Sequence, residues 1–274
     1  MALKTILVHL ANDPDHRARM EIARSLARQH GAFLTALYIA RPSEALQHIA
    51  GRGVSRAFLE EAAESARRHA QELEGEFTDY CNRESIDCEW IVADGENLES
   101  LAKRAHAADL VIVNRPSDRN LEDRVRLRLA DELILNTGLP ILALPPGSHD
   151  GWVPKRVLVA WKPTREAVRA VRDSLPILEK AEKVIIGTVR PSAEDAISTL
   201  EVEQYLQRQG IEAETVDMDE EDGAGSTILS MAAAHDCDLV VAGAYGHSRL
   251  REVFVGGFTR TLLRHAEIPL LLSH

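Results

Sequence analysis

The segment DLVVAG, at residues 238–243, is a nearly continuous run of apolar residues. Such runs are typical of strands that are buried on both faces of a parallel sheet. Three pairs of segments resemble each other across the two halves of the chain: DLVIV (109–113) with DLVVA (238–242), KTILVH (4–9) with KRVLVA (155–160), and LPILAL (139–144) with IPLLLS (268–273). The chain is therefore predicted to contain two copies of one structural plan.

Each copy alternates short apolar runs with longer segments of helical periodicity. In the first copy the predicted strands and helices alternate in the order 4–10, 14–30, 33–39, 55–74, 88–92, 97–107, 110–114, 121–136 and 140–144. In the second copy the order is 156–161, 164–179, 183–189, 192–209, 212–218, 226–235, 239–243, 257–265 and 269–273. Strands that alternate with helices in right-handed crossovers form parallel sheets. We therefore predict an α/β fold of two tandem, doubly wound, Rossmann-like domains.

A segment dense in Pro and Gly, PPGSHDGWVP at 145–154, separates the two copies and is predicted to be a linker. The predicted domains are residues 1–146 and 153–274. The first copy is the longer one, and its additional residues are expected near 41–70. In open α/β sheets, ligands bind beyond the carboxyl ends of the strands, where the strand order reverses. In the second copy this rule points to the loops that follow 156–161 and 239–243.

Composition and charge exclude several classes of protein. The 274 residues carry a formal net charge of −11, which argues against broad binding of nucleic acid. No apolar run reaches the ~18–20 residues needed to cross a bilayer, and the N-terminal residues lack the pattern of a signal peptide. The three cysteines, at 81, 88 and 237, do not indicate a disulfide framework. We expect a cytoplasmic protein that binds neither membrane nor nucleic acid.

A glycine-rich segment follows the strand at 239–243. Gly243 and Gly246 come directly after the strand, and Gly256 and Gly257 come just before a helix predicted to begin near Phe258. Glycine lets the backbone approach a ligand closely, and the amino end of a helix presents free N–H groups and the positive end of its dipole. The segment is therefore predicted to cradle phosphate, the alternative being an ordinary turn before an ordinary helix. Nearby donors are His247, Ser248, Arg249, Arg251 and Thr259.

The pattern Gly243-x2-Gly246-x9-Gly256 resembles the nucleotide motif of ATP-binding universal stress proteins. The segment VLVAWKPTREA (157–167) resembles the first strand, loop and helix start of that family, and the resemblance extends to both halves of the chain. It implies a tandem universal stress protein whose C-terminal domain binds an adenine nucleotide, with ATP expected and AMP or ADP also compatible.

The resemblance also implies which residues hold the nucleotide. The base would lie against Ala160, Trp161, Lys162 and Val189. The ribose and phosphates would lie against Gly243, Gly246, His247, Gly256, Gly257, Phe258 and Thr259. Two of these positions depart from the family: Lys162 stands where an Asp that orients the base is usual, and Gly257 where a Ser or Thr is usual. Lys162 could meet a phosphate instead, and Trp161 could stack on the base or fill its pocket.

The first copy lacks the glycines of the motif. Asn114, Ser117, Leu127 and Arg128 stand at the positions that correspond to Gly243, Gly246, Gly256 and Gly257. Pro116 also lacks an N–H group and has a fixed φ. The N-terminal domain is therefore expected to be structural, or to carry a divergent pocket.

No catalytic motif was found in the sequence. It contains no Walker loop, no G-x-G-x-x-G after a strand and no G-x-S-x-G nucleophile elbow. Cys81 and Cys88 are too far apart for a C-x2-C zinc site, and His235 with Cys237 indicates a turn before a strand. We therefore predict no catalytic residues, no metal site and no enzyme.

The leading prediction is a stress-response protein that binds a nucleotide without efficient catalysis. Two alternatives stay open: an interaction or dimerisation module that binds no nucleotide, and a slow phosphohydrolase. The segments 140–144 and 269–273 read as apolar edge strands, which need a partner or a cover. Such edges commonly pair in the family, so the resemblance implies a pseudo-dimer of the two halves or a homodimer of chains.

Overall fold

The structure is a computed structural model that describes residues 2–11, 13–39, 56–93, 97–115, 130, 132–148, 151–190, 193–246 and 257–274. It divides into two compact units. An N-terminal unit contains Leu3–Leu139 and Pro146–Val153, and a C-terminal unit contains Pro140–Pro145 and Pro154–His274. The boundary between the units does not follow the expected linker at 145–154, because residues 140–145 group with the C-terminal unit.

In its described residues, the N-terminal unit contains four parallel strands in the order β3-β2-β1-β4. These strands are β1 (Thr5–Leu10), β2 (Phe33–Ile39), β3 (Cys88–Ala93) and β4 (Leu110–Asn114). The helices between them are α1 (His16–His30), α2 (Arg56–Arg83) and α3 (Asn97–Ala105). Strands β1 and β4 are almost wholly buried, as their nearly continuous apolar runs predict.

The part of the C-terminal unit that the structure describes contains six strands in the order β5-β10-β9-β6-β7-β8. They are β5 (Ile141–Leu144), β6 (Arg156–Ala160), β7 (Lys183–Val189), β8 (Ala213–Met218), β9 (Leu239–Gly243) and β10 (Leu270–Ser273). The helices are α4 (Arg165–Leu178), α5 (Ala193–Arg208), α6 (Ala224–Ala234) and α7 (Gly257–His265). Strands β6 to β10 are parallel to one another, which confirms the predicted doubly wound α/β class.

Strand β5 pairs with β10 in the antiparallel direction, within the C-terminal unit. The register places Leu271 opposite Leu142, with Ile141 opposite Leu272 and Ala143 opposite Leu270. All of these side chains are fully buried. The apolar edge of β10 is therefore covered by a strand that, in sequence, ends the first copy.

In each copy, an aspartate at the same position of the repeat holds the start of the first strand. Asp109 accepts hydrogen bonds from the backbone N–H groups of Lys4 and Thr5, each at 2.9 Å. Asp238 accepts equivalent bonds from Lys155 and Arg156, at 3.0 Å for Arg156. Each aspartate is the first residue of a repeated DLV segment, so the repeat in sequence corresponds to a repeated contact.

Helix α2 is longer than the prediction of 55–74, because it continues through Gly75 to Arg83. Its later turns bury Phe77 and Cys81 completely, so the apolar stripe does not end at Leu73. None of the helices in the described ranges is long and apolar enough to cross a membrane.

Candidate functional site

The candidate site lies at the carboxyl ends of β6 and β9 in the C-terminal unit. These two strands are parallel neighbours, with Ala160 opposite Ala242. From β6 the chain crosses to β7 on one side, and from β9 it crosses to β10 on the other. The strand order therefore reverses between β6 and β9, which is where open α/β sheets form their ligand crevice.

Gly243, at the end of β9, is in close contact with the first turn of α4. A Cβ atom on Gly243 would lie 2.5 Å from the backbone N of Ala167 and 2.6 Å from the carbonyl carbon of Glu166. No side chain fits at such distances without moving helix backbone. The first glycine of the motif is therefore required for packing α4 against β9.

Gly246 faces the side chain of Glu166. A Cβ atom on Gly246 would lie 2.9 Å from Oε2 and 3.4 Å from Cδ of that carboxylate. Glu166 is only 2% exposed, although it lies in the first turn of α4. We call the segment from Gly243 to Gly246 the glycine turn. The space that the missing side chain of Gly246 leaves is thus occupied by the carboxylate of Glu166.

The carboxylate of Glu166 is held by Arg165, whose Nε donates a hydrogen bond to Oε1. Burial acts to raise the pKa of Glu166, but it is outweighed. The hydrogen bond from Arg165, the backbone of Glu166 and the charges of Arg165 and His274 together lower the pKa below its usual value. Glu166 is therefore ionised at neutral pH, beside the glycine turn.

The turn is joined to the amino end of α7 by a hydrogen bond. The backbone N–H of Tyr245 donates to Oγ1 of Thr259 at 3.2 Å, and Thr259 is buried. Its hydroxyl therefore links the turn to the helix. Phe258 is half-buried beside it. Gly257 is exposed, and a Cβ atom there would meet no atom of the described residues within 4 Å.

The four residues that the family resemblance places against the base do not all lie in the same surroundings. Trp161 continues the pairing of β6 with β7, because its N–H donates to the Gly187 carbonyl at 2.8 Å. Its side chain, however, lines a groove of about 210 Å³ between α4 and α5, together with Val171, Val202 and Tyr205. Of the described residues from Gly243 to Gly246, none lines that groove.

The other three residues of this group stay near the strand ends. Ala160 is the last residue of β6 and is buried, whereas Lys162 is exposed in the loop that follows. Val189 is the last residue of β7 and is half-buried. Lys162 and Val189 are thus accessible to a ligand, while the indole of Trp161 occupies a separate groove.

Sequence reasoning missed two residues next to the turn, Glu166 and His274. Nδ1 of His274 lies 2.9 Å from the carbonyl oxygen of Ala244, and the N–H of Ala244 donates to Ser273 at 2.8 Å. No motif marks either residue, since both reach the turn through contacts distant in sequence. His247 and Gly256, which the resemblance implies as ligand contacts, lie outside the described residues.

The corresponding edge of the N-terminal unit is occupied by polar side chains. Asn114 Nδ2 lies 3.4 Å from carboxylate oxygens of Asp13 and Asp15. Asp13 is also paired with buried Arg19 at 2.7 Å, and burial lowers the pKa of Arg115 to about 10. Ser117, Leu127 and Arg128 are outside the described ranges. Among the residues described, no three His, Cys, Asp or Glu side chains form a group that could hold a metal ion.

Comparisons with known proteins support the architecture. Residues 175–274 match the model of the universal stress protein family. A universal stress protein from Archaeoglobus fulgidus DSM 4304 superposes with a TM-score of 0.77 at 14% identity, covering 98% of this chain and 95% of that one. A functionally unknown protein from Pseudomonas aeruginosa PAO1 does so with a TM-score of 0.63 at 14% identity, covering 99% and 92%. No curated protein sequence matches the chain. At these identities the solved structures establish the fold alone.

Proposed function

Because residues 175–274 match the model of the universal stress protein family, we propose that the protein acts in stress response by binding an adenine nucleotide in its C-terminal unit. ATP is the expected ligand, and AMP or ADP would fit the same elements. The observation that carries the proposal is the convergence of β6, β9 and the amino end of α7, joined by the hydrogen bond from Tyr245 to Thr259. We expect binding without efficient catalysis.

In this proposal each element meets a different part of the ligand. The base lies near Ala160 and Val189, and the phosphates extend toward the amino end of α7, where Gly257 leaves open space. Lys162, exposed in the loop after β6, supplies a positive charge toward the phosphates in place of an aspartate. Bound nucleotide would stabilise one conformation of the unit and so alter its affinity for a partner.

The first experiment is to purify the protein without added ligand, denature it and identify any released nucleotide by chromatography and mass spectrometry. Titration calorimetry with ATP, ADP and AMP then gives the affinities. Co-purified nucleotide, or saturable binding of any of the three, supports the proposal. Protein that is empty and binds none of them contradicts it.

Substitution of Gly257 tests the placement of the phosphates. Gly257→Glu adds a negative charge in the first turn of α7, where an acidic residue favours the helix. The fold should therefore be retained, while ATP affinity should fall about tenfold through repulsion of the phosphates. The neutral variant Gly257→Gln has the same size without the charge, so it should bind ATP about tenfold more tightly than Gly257→Glu does. Equal ATP affinities for the two variants would contradict the placement.

A second candidate function is an interaction module that binds no nucleotide. The observation in its favour is the apolar surface beside the Trp161 groove, where Val168, Ile197 and Leu200 are 37%, 65% and 54% exposed. If the protein binds no nucleotide, substitution of Ile197 and Leu200 by Ser should reduce any self-association seen in sedimentation. If both substitutions leave nucleotide affinity unchanged, the apolar surface is not part of the nucleotide site.

A further inference from the structure

We propose that Cys81 and Cys88 form a reversible disulfide when the protein meets a peroxide. In this proposal Cys88 is the thiol that is oxidised first, and Cys81 is the thiol that closes the bond. Both cysteines are free thiols in the structure. The site belongs to the N-terminal unit, so the proposal does not depend on nucleotide binding.

The end of α2 brings the two cysteines together. Cys81 lies in the last turn of α2, and Cys88 is the first residue of β3. Between them, the backbone N–H of Ile86 donates to the carbonyl oxygen of Cys81 at 2.8 Å, and Ser85 has a positive φ of 54°. A left-handed residue with a hydrogen bond back to the last turn is a common way to end a helix and fold the chain over it. Strand β3 therefore begins beside the last turn of α2.

The side chains of the two cysteines face each other across this connection. Trp90 lies two residues after Cys88, on the same face of β3, and its ring is 5.5 Å from that of Phe77 on α2. Cys88 is thus on the face of β3 that packs against α2. Burial and, next, the neighbouring Cys88 thiol raise the pKa of Cys81 to about 12. Because the two sulfurs are neighbours, an S–S bond of about 2 Å needs little movement of the backbone.

The exposure of the two thiols assigns their roles. Cys88 is partly exposed, in the strand at the end of the order β3-β2-β1-β4, whereas Cys81 is fully buried. Peroxide therefore reaches Cys88 first, and a sulfenic acid formed there condenses with a neighbouring thiol. Burial opposes ionisation of Cys81, but the positive charge of buried Arg24 acts to lower the pKa of this thiol. Arg24 therefore favours the thiolate of Cys81 as it attacks.

The reaction is balanced by hydrogen peroxide alone. The Cys88 sulfur attacks one peroxide oxygen, the O–O bond breaks, and the departing hydroxide takes the thiol proton as water. The Cys81 sulfur then attacks the Cys88 sulfur, the S–O bond breaks, and the second hydroxide leaves with the Cys81 proton as water. The two thiols are thus oxidised by two electrons to one disulfide, and the peroxide is reduced to two water molecules. A dithiol reductant reverses the bond by thiol–disulfide exchange.

The test is a peptide map of the reduced full-length protein after treatment with hydrogen peroxide. Remaining thiols are blocked with N-ethylmaleimide, the protein is digested with trypsin without reductant, and the peptides are identified by mass spectrometry. Arg83 lies between the two cysteines, so trypsin separates them and the disulfide joins two otherwise distinct peptides. The variants are Cys81→Ala and Cys88→Ser, with Cys237→Ser as the control. Circular dichroism establishes that each variant is folded.

We expect the joined peptides in the unmodified protein and in Cys237→Ser, and their release by dithiothreitol. At micromolar protein the joined pair should exceed cross-links between chains about a hundredfold, because the two thiols are neighbours in one chain. In Cys81→Ala the sulfenic acid has no thiol beside it, so Cys88 should go on to the sulfinic acid. In Cys88→Ser, Cys81 should stay reduced, because burial shields it from peroxide.

Oxidation of Cys88 to the sulfinic acid in the unmodified protein, without the joined peptides, would overturn the proposal. It would also fail if peroxide oxidises neither cysteine of the native protein, or if disulfides that contain Cys237 are the main product. If Cys81→Ala does not fold, the maps of the unmodified protein and of Cys88→Ser decide. Oxidised Cys81 in folded Cys88→Ser would contradict the assigned order of the two thiols.

Discussion

Two carboxylates on α4, Glu166 and Asp173, have opposite electrostatic settings. Arg165 and His274 lower the pKa of Glu166 despite its burial. For Asp173 burial dominates and raises the pKa, only partly offset by the Ser273 hydroxyl and by Arg169, whose Nε is 3.7 Å away. The surroundings thus stabilise the charged form of Glu166 and destabilise the charged form of Asp173.

Asp173 should make the protein less stable as the pH rises. Because its pKa is higher in the folded than in the unfolded chain, the native state binds more protons between the two values, and the free energy of unfolding falls as pH increases through that window. Asp173→Asn should therefore raise the free energy of unfolding at pH 7. The gain should disappear under acid conditions, below about pH 4, where the carboxyl is protonated in both states. Urea unfolding at several pH values measures this, and a variant less stable than the unmodified protein at pH 7 would contradict it.

The three thiols should differ in reactivity. Burial raises the pKa of Cys81 to about 12, with a further contribution from Cys88, and raises the pKa of Cys237 to about 11. Because the thiolate is the reactive form, both should resist alkylation in the native protein, whereas half-buried Cys88 should react first. Mass spectrometry after brief treatment with iodoacetamide at pH 8 identifies the labelled cysteines, with urea-unfolded protein as the fully labelled control. Rapid native labelling of Cys237 would contradict the assignment.

At this scale the sequence predicted that Gly243 and Gly246 follow the strand at a ligand-binding edge, but not what they contact in the protein. Spacing after an apolar strand is a local signal, and Gly243 and Gly246 do lie at the end of β9 and just after it. The contact with Glu166 joins residues nearly eighty positions apart, so local patterns carry no information about it. The same applies to His274, which reaches Ala244 through the pairing of β9 with β10.

At the scale of elements, α4 begins at a threonine cap that lies next to the candidate site. Thr164 has an extended backbone, and its hydroxyl accepts a hydrogen bond from Ala167 N–H at 3.3 Å. Ala167 is also the residue whose N lies against Gly243. The cap therefore fixes the turn of helix on which the end of β9 rests.

Thr164→Ala should lower the free energy of unfolding by about 1 kcal/mol, the usual cost of losing a helix cap. Thr164→Ser retains the hydroxyl and should stay within a few tenths of a kcal/mol of the unmodified protein. Chemical denaturation measures both values. If the alanine variant is as stable as the serine variant, the hydrogen bond to Ala167 does not contribute.

The elements were predicted well where apolar periodicity is strong and less well where it fades. Strands β2, β4, β7 and β9 have the predicted bounds. Helix α2 exceeds its prediction because Gly75 interrupts the pattern in sequence, while Phe77 and Cys81 continue the buried face in space. The predicted helix 121–136 lies mostly outside the described residues.

At the scale of the whole molecule, the repeat in sequence and the compact units do not end at the same residue. The α/β class and the two copies were predictable, because each copy carries its own apolar runs and its own aspartate before a central strand. The family resemblance implied that the edge strands 140–144 and 269–273 pair, and β5 does pair with β10. That β5 groups with the C-terminal unit was not predicted, since its apolar sequence would suit either sheet. The strand that β5 pairs with is β10, with Leu142 opposite Leu271.

Leu142→Asp should therefore destabilise the C-terminal unit, although residue 142 belongs to the first copy. An unpaired charge at a fully buried position costs about 3 kcal/mol or more. Val92→Asp, at a strand position that is 45% exposed, is the matched control and should cost much less. Hydrogen exchange followed by mass spectrometry should show protection lost in β9 and β10 for the first variant. Protection that stays unchanged in those two strands would contradict the role of β5.

The pairing of β5 with β10 also has a consequence for synthesis. β5 leaves the ribosome before its neighbour exists, since roughly 125 residues separate the two strands and translation adds ~5–20 residues per second. On the order of ten seconds therefore pass between the synthesis of β5 and the synthesis of β10. The edge of β10 is therefore covered by a segment that was synthesised well before β10 itself.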